Sequence, residues 1–276
     1  MALQLEAPAK LTTRFKIVSR RADGYHEVEA DMVSLSLGDG LSICVTQEPS
    51  VVTMVADPLL GGASRYEVGV DGTNSVVRAL DFLGVSAHVV VNKRIPYGAG
   101  LGGGSSDAAA ILRHFGYRGD LREVARLGAD VPPSLVGGHV RVGGIGDQVE
   151  ALEEIERHYV LFLPDFSIST VAVYGAFDRV GSDGGDNDLF LAACEVEPKL
   201  RALGEELHAR FLRPVLLAGS GSTLFMEGSF AELGLVAERG DPAAHATMLS
   251  SAVGEVVAIG CHTLPRLRRA TTTSKE

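Results

Sequence analysis

The chain has 276 residues, 46% hydrophobic and 22% charged, with a formal net charge of −10. That length and balance suit one large domain or two small ones with a core that needs no covalent staples. The acidic excess argues against nucleic acid or a membrane surface as the main partner.

The first forty residues read as strands, "LQLEAPAKLTTRFKIV" and "EVEADMVSLSLGDGLSICV", with a turn expected at Gly38-Asp39-Gly40. Residues 74–85, "NSVVRALDFLGV", have helical spacing and stop at Gly84. Residues 86–96 are β-rich and end at Pro96. A glycine loop follows, then a helix "SSDAAAILRHF" with Ser105 or Ser106 as its expected N-cap. A short helix is expected over 120–128, capped by Asp120, and a turn-rich stretch returning to strand over 128–152. "HYVLFLPDFSIST" opens a second half as a buried strand. Residues 187–211 read as helix interrupted near Pro198, and "PVLLAGSGSTLFMEG" as strand, tight turn, strand. Helices are expected over "AELGLVAERG" and "AAHATMLSSA", then a strand "EVVAIGCHTL" and a frayed polar tail from residue 266. Helices and strands mix without steady βαβ alternation, which favours α+β. The joint falls near residues 147–157, giving domains at 1–150 and 151–276. Cys44, Cys194 and Cys261 have no metal-ligand spacing and read as buried thiols in a reducing compartment. No apolar run reaches the ~18 residues of a membrane helix. The first residues lack the apolar core of a signal peptide, so a cytoplasmic location is expected.

The segment "KRIPYGAGLGGGSSDAAAILRHF" carries the most chemistry. Gly98, Gly100, Gly102, Gly103 and Gly104 fall within seven residues and run into a helix. Glycine lets backbone N–H groups turn inward and approach a ligand closely. A helix N-terminus adds unpaired N–H groups and a positive dipole end. Together these make a phosphate cradle. Gly98, Gly100 and Gly103 satisfy G-x-G-x-x-G, but "KRIPY" separates them from a strand, and the region about 20 residues on reads as helix rather than a strand ending in an acid. A dinucleotide-dependent oxidoreductase is therefore the weaker reading. A Walker loop fails because Ser105 follows Gly104 with no lysine between.

"PYGAGLGGGSSDAA" resembles the phosphate loop of the GHMP kinases, a family that includes galactokinase, homoserine kinase and mevalonate kinase. "APAKLTTRFKI" and "LLAGSGSTLF" resemble the family's first and third motifs. "RRADGYHEVEADMVSLSLGDGLSI", "LGADVPPSLVGGHVRVGGIGDQV" and "NDL" (187–189) resemble, in order, the branch that phosphorylates the 2-hydroxyl of 4-diphosphocytidyl-2-C-methyl-D-erythritol in the non-mevalonate isoprenoid pathway. The resemblance runs over nearly the whole chain. It implies the two-domain α+β GHMP kinase fold: a ribosomal protein S5 domain 2-like N-terminal domain, an α+β C-terminal domain and an active site in the cleft between them. It also implies ATP with Mg²⁺ as donor, a cytidine diphosphate-linked sugar alcohol as acceptor, and a monomer or weak homodimer.

Residue by residue, the resemblance places Asp130 as the catalytic base and Lys10 beside it. It gives the donor's phosphates to Pro96, Gly98, Gly100, Leu101, Gly102, Gly103, Gly104, Ser105 and Ser106. Asn74 falls near the adenine, although a helix cap explains an asparagine there equally well. Asp107 reads as a further cap. Tyr25 and His26 match residues used on the cytosine, against the plainer reading of "DGYH" as a turn. Thr12, Gly219, Ser220 and Gly221 fall on the acceptor side, and no acidic pair identifies magnesium ligands. The chain departs from the family at Thr12, where an asparagine is usual, and at Pro133-Ser134. A paralogue acting on another alcohol is the alternative these departures raise.

Overall fold

The structure, a computed structural model, describes residues 2–56, 72–237, 239–241 and 244–266. Its frame is a pair of very long antiparallel strands, β1 (Leu3–Arg20) and β2 (His26–Val45), joined at the Asp23-Gly24 turn. Gly38 and Gly40 lie inside β2, so the expected turn is absent. The glycine at 38 serves a close approach instead: a Cβ there would stand 2.9 Å from the Ala7 carbonyl oxygen. The β1–β2 register shifts between Pro8 and Lys10, the irregularity expected of a bulge, which lets one long ribbon bend.

β3 (Val51–Ala56), β4 (Ala87–Lys93), β5 (His139–Gly144) and β6 (Gln148–Ala151) complete a first sheet in the order β3-β4-β2-β5-β6, with β1 paired to β2. Only β3 and β4 are parallel among its described pairs. α1 (Ser75–Leu83), α2 (Gly103–His114), α3 (Leu121–Val124) and α4 (Val131–Val136) belong to this half. α1 is bounded as its sequence predicts, by the Asn74 side chain accepting from the Val76 N–H and by Gly84 at φ 64°. α3 is shorter than expected but capped by Asp120 as expected. α4 emerges from a stretch read only as turns, because prolines are tolerated in the first turn of a helix.

The second sheet runs β10-β11-β12-β7-β9-β8, from β7 (His158–Pro164), β8 (Leu216–Leu217), β9 (Leu224–Glu227), β10 (Arg239–Asp241), β11 (Ala244–Ser251) and β12 (Gly254–His262). α5 (Thr170–Val180), α6 (Phe190–Val196) and α7 (Lys199–Phe211) cover it, and the break between α6 and α7 falls at Pro198 as expected. Two expectations fail here. "AAHATMLSSA" is largely the strand β11, held by pairing to β12, and residues 231–234 form turns followed by irregular chain to 237 rather than a helix. Cys194 and Cys261 are buried thiols, whereas Cys44 is exposed near the end of β2. Beyond Arg266, the tail lies outside the described residues.

The cores explain why the long strands are needed. One lies between the first sheet and α1–α2, around Leu41, Ile43, Val89 and Ile111. The other two are shared between the halves. Leu11, Val33 and Leu35 pack with Leu161, Phe225 and Ile259. Phe15, Met32 and Val142 pack with Phe162, Leu189 and Ala258. The middle of β1, residues 7–12, is therefore buried on both faces, and its sequence lacks clean alternation for that reason. "NDL" fastens the same strand. The Phe15 N–H donates to the Asp186 carbonyl and the Asp188 N–H to the Phe15 carbonyl. Asp188 accepts from Ser182, Lys16 and the Ile17 N–H at 2.6–2.9 Å. Burial alone would raise its pKa, but these donors outweigh that and hold the carboxyl below its usual range.

Candidate active site

The glycine loop leaves β4 and enters α2 at the centre of a cleft of about 1440 Å³. Gly98, Gly100 and Gly102 have φ of 68°, 77° and 69°, a region that favours glycine. Gly100 also lies against the third motif: a Cβ there would stand 2.1 Å from the Ala218 carbonyl oxygen and 2.9 Å from Gly221. Loop and turn thus touch backbone to backbone, and the Lys10 N–H donates to the Leu101 carbonyl at 3.0 Å. The N-cap of α2 is Gly102, with no side-chain cap, so neither Ser105, Ser106 nor Asp107 caps this helix. Its first-turn N–H groups are left for a ligand, which fits an anionic group.

Lys10 and Asp130 meet at this point. Lys10 comes from the buried middle of β1 and Asp130 precedes α4; Lys10 Nζ lies 3.2 Å from Asp130 Oδ2 and donates to Thr12 Oγ1 at 3.2 Å. The pair borders the loop, because a Cβ on Gly102 would meet Lys10 Cγ at 2.8 Å and Asp130 Oδ2 at 3.6 Å. The lysine side chain is 10% exposed and the aspartate 32%, so the carboxylate opens into the cleft while the ammonium lies behind it. A carboxylate so placed can accept a proton from an alcohol, and a buried ammonium steadies negative charge beside it.

Pro96, Gly98, Gly100, Leu101, Gly102, Gly103, Gly104, Ser105 and Asn74 line the cleft, as do Thr12, Gly219 and Ser220. Two expected residues do not. Ser106 turns inward, 1% exposed, and its hydroxyl donates to the Pro8 carbonyl at 2.5 Å. Gly221 instead supports Gly100. Asn74 both caps α1 and faces the cleft. The third-motif turn is held by Asn187, whose side-chain amide donates to the Leu217 and Gly219 carbonyls at 2.8 Å each.

Tyr25 and His26 also line the cleft. Tyr25 is 65% exposed. His26 Nε2 lies 2.8 Å from Asp178 Oδ1, and its ring sits 5.2 Å from Tyr174 and 5.9 Å from Phe177, centroid to centroid. Tyr174 and Asp178 both line the cleft and come from α5, an element absent from the sequence reading. Their signal is the i, i+4 spacing that puts both on one helix face. Burial, with Asp130 adding to it, pushes the Tyr174 phenol up to about 12, so it remains a hydrogen-bond donor at neutral pH. Among the described residues, no group of three or more His, Cys, Asp or Glu could hold a metal ion.

The model of the GHMP kinases N terminal domain matches residues 74–152, the stretch from α1 through the glycine loop to β6. A 4-diphosphocytidyl-2-C-methyl-D-erythritol kinase of Pseudarthrobacter chlorophenolicus is 30% identical over 269 residues, covering 80% of this chain and 83% of its own. One of Desulfotalea psychrophila is 33% identical over 261 residues, covering 81% and 84%. Among solved structures, a 4-(cytidine 5'-diphospho)-2C-methyl-D-erythritol kinase superposes with a TM-score of 0.69 at 27% identity, over 95% of this chain and all of the other. The homoserine kinase of Cytophaga hutchinsonii, with a TM-score of 0.62 at 13% identity over 96% and 95%, shares the fold. With relatives this similar over four fifths of its length, and a glycine cradle beside a lysine–aspartate pair, the chain belongs to the GHMP kinases, in the 4-diphosphocytidyl-2-C-methyl-D-erythritol kinase branch.

Proposed function

We propose that the chain transfers the γ-phosphate of ATP to the 2-hydroxyl of 4-diphosphocytidyl-2-C-methyl-D-erythritol. The observation that carries this reading is the Lys10–Asp130 pair, set between the glycine cradle and the Tyr25–His26 wall within one cleft. Phosphoryl transfer asks for positioning, charge neutralisation and help for the attacking hydroxyl. The N–H groups of Gly102 to Gly104 and the Ser105 hydroxyl hold the donor's phosphates. Asp130 accepts the proton of the attacking alcohol, and Lys10, paired with it, steadies charge on the oxygen.

Mg²⁺ commonly takes one or two protein oxygens, the rest coming from phosphates and water. The Ser105 hydroxyl, which lines the cleft at the cradle, fits that sparse demand, and the ion when bound would offset phosphate charge. At the acceptor end, Tyr25 and Tyr174 offer ring faces for a base, and His26 offers a ring nitrogen on its edge. His26 Nε2 is engaged with Asp178, which orients the ring and turns its other nitrogen to the base. Thr12, held by Lys10, supports the sugar end. The first unit, 1–150, supplies the donor cradle and the second, 151–276, supplies α5 and the third-motif turn.

The test is a product assay with labelled ATP and a panel of acceptors. Turnover of the cytidine-bearing acceptor with little on free methylerythritol is expected. Turnover of another alcohol, with every cytidine compound ignored, refutes the acceptor and leaves the kinase.

A further inference from the structure

The mechanism above leaves one buried charged cluster unused. Lys93, the last residue of β4, is 3% exposed and bonds to both Asp39 Oδ2 and Asp107 Oδ2, the latter at 2.9 Å. Asp39, from the middle of β2, is fully buried, and its other oxygen accepts from the Arg94 and Ile95 N–H groups at 2.6 and 2.9 Å. Asp107, on α2, is 2% exposed, and its Oδ1 has no hydrogen-bond partner. Lys93 and Asp107 both border the cleft.

Chain order gives the cluster its meaning. Lys93 stands where the glycine loop begins and Asp107 just past where it ends. Asp39 grips the two backbone N–H groups between Lys93 and Pro96. A loop with five glycines in seven residues carries high conformational entropy when free. Such a loop binds phosphate tightly only if it is held in the bound shape beforehand. Surface ion pairs would hold it poorly, whereas a buried ammonium shared by two carboxylates fixes all three elements at once. The cluster also lies behind the cradle, since a Cβ on Gly103 would meet Ile95 Cγ2 at 3.0 Å and Lys93 Nζ at 3.3 Å.

We propose that Asp39, Lys93 and Asp107 are positioning residues for the phosphate donor: they fix the two ends of the glycine loop at the spacing the donor's phosphates require. This rests on the reading of the loop as the ATP site. Two acidic side chains face one ammonium; burial would lower the Lys93 pKa, but the two acids outweigh it and hold it above its ordinary value.

The test uses the full-length protein, with KM for Mg-ATP, kcat, and direct binding of Mg-ATP and of CDP. In Lys93→Met the KM for ATP rises about tenfold or more, as a displacement of about 1 Å at a positioned group suffices to do. Its kcat at saturating ATP stays within about threefold and CDP binding does not move, since the change acts on donor binding alone. Asp107→Asn, isosteric and still able to accept from Lys93, binds ATP nearly as the wild type does, whereas Asp107→Leu binds it about tenfold or more weakly. The role is overturned if Lys93→Met leaves KM for ATP unchanged or lowers kcat alone. It is equally overturned if Asp107→Leu binds ATP as Asp107→Asn does, and this arm decides the matter should Lys93→Met not fold. A wild-type protein that binds no ATP overturns the nucleotide site itself, a different result from ATP binding that the variants do not disturb.

Discussion

Lys10 and Asp130 are 120 positions apart in sequence and 3.2 Å apart in space. If Asp130 is the base, Asp130→Asn lowers kcat by about 10²–10⁴ and leaves ATP binding nearly intact. Lys10→Ala lowers kcat as well, and the double variant loses less than the two effects combined, because the pair acts as a unit. Steady-state kinetics with an ATP-binding control decides this, and near-wild-type turnover in Asp130→Asn sinks the assignment. Glycines separate by their surroundings. At Gly103 the backbone φ is not positive, and its crowding comes from Ile95 and Lys93, the support of the loop. Gly100 is the sharper probe of the loop itself, with φ 77° and the Ala218 carbonyl where a Cβ would go. Gly100→Ala should push the loop off the third-motif turn and weaken ATP binding by about tenfold or more, as misplaced binding groups do. Unchanged affinity by calorimetry would return the loop to a mere connector.

At the scale of elements, α5 shows how a site residue escapes a sequence reading. "STVAVYGAFDRV" carries β-branched Val171 and Val173 and a central Gly175, all poor helix formers, so propensity points away from the helix that packing creates. Tyr174 and Asp178 are invisible until that helix exists. Tyr174→Ala should cost about tenfold or more in kcat/KM for a cytidine-bearing acceptor, in line with the ~1–3 kcal/mol of base stacking on an aromatic ring. ATP affinity should not change; an equal loss for acceptors without cytidine would remove Tyr174 from the base pocket. Asp188 tests the fastening of β1. Asp188→Ala leaves the Ile17 N–H and the Ser182 hydroxyl unpaired and should destabilise the fold by about 1–3 kcal/mol, read from denaturant unfolding. The composition of "AAHATMLSSA" favours a helix, yet pairing with β12 makes this segment the strand β11.

For the whole molecule, two of the three apolar cores draw on both halves. A fragment ending at residue 152 would expose the faces of β1 and β2 that pack against Leu161, Phe225 and Ile259. Each large side chain uncovered costs about 1.5–3 kcal/mol. The fragment is expected to show no cooperative thermal transition by circular dichroism, whereas a sharp transition would establish the first unit as independently folding. Legible in the sequence alone were the short motifs: the glycine loop, "PAK", "GADVP", "DGYH" and "NDL" are local patterns recognised by residue types a few positions apart. The sequence also set the elements whose periodicity and caps agree, such as α1 and β4. Tertiary structure decided what depends on distant partners: that Gly38 is a crossing point within a strand, that Ser106 faces Pro8, that α5 forms and that β11 is a strand. It also brought Asp39, Lys93 and Asp107 into one buried cluster. Hydrophobic burial and pairing of buried charge act through space, between residues tens of positions apart, and no local window of sequence contains both partners.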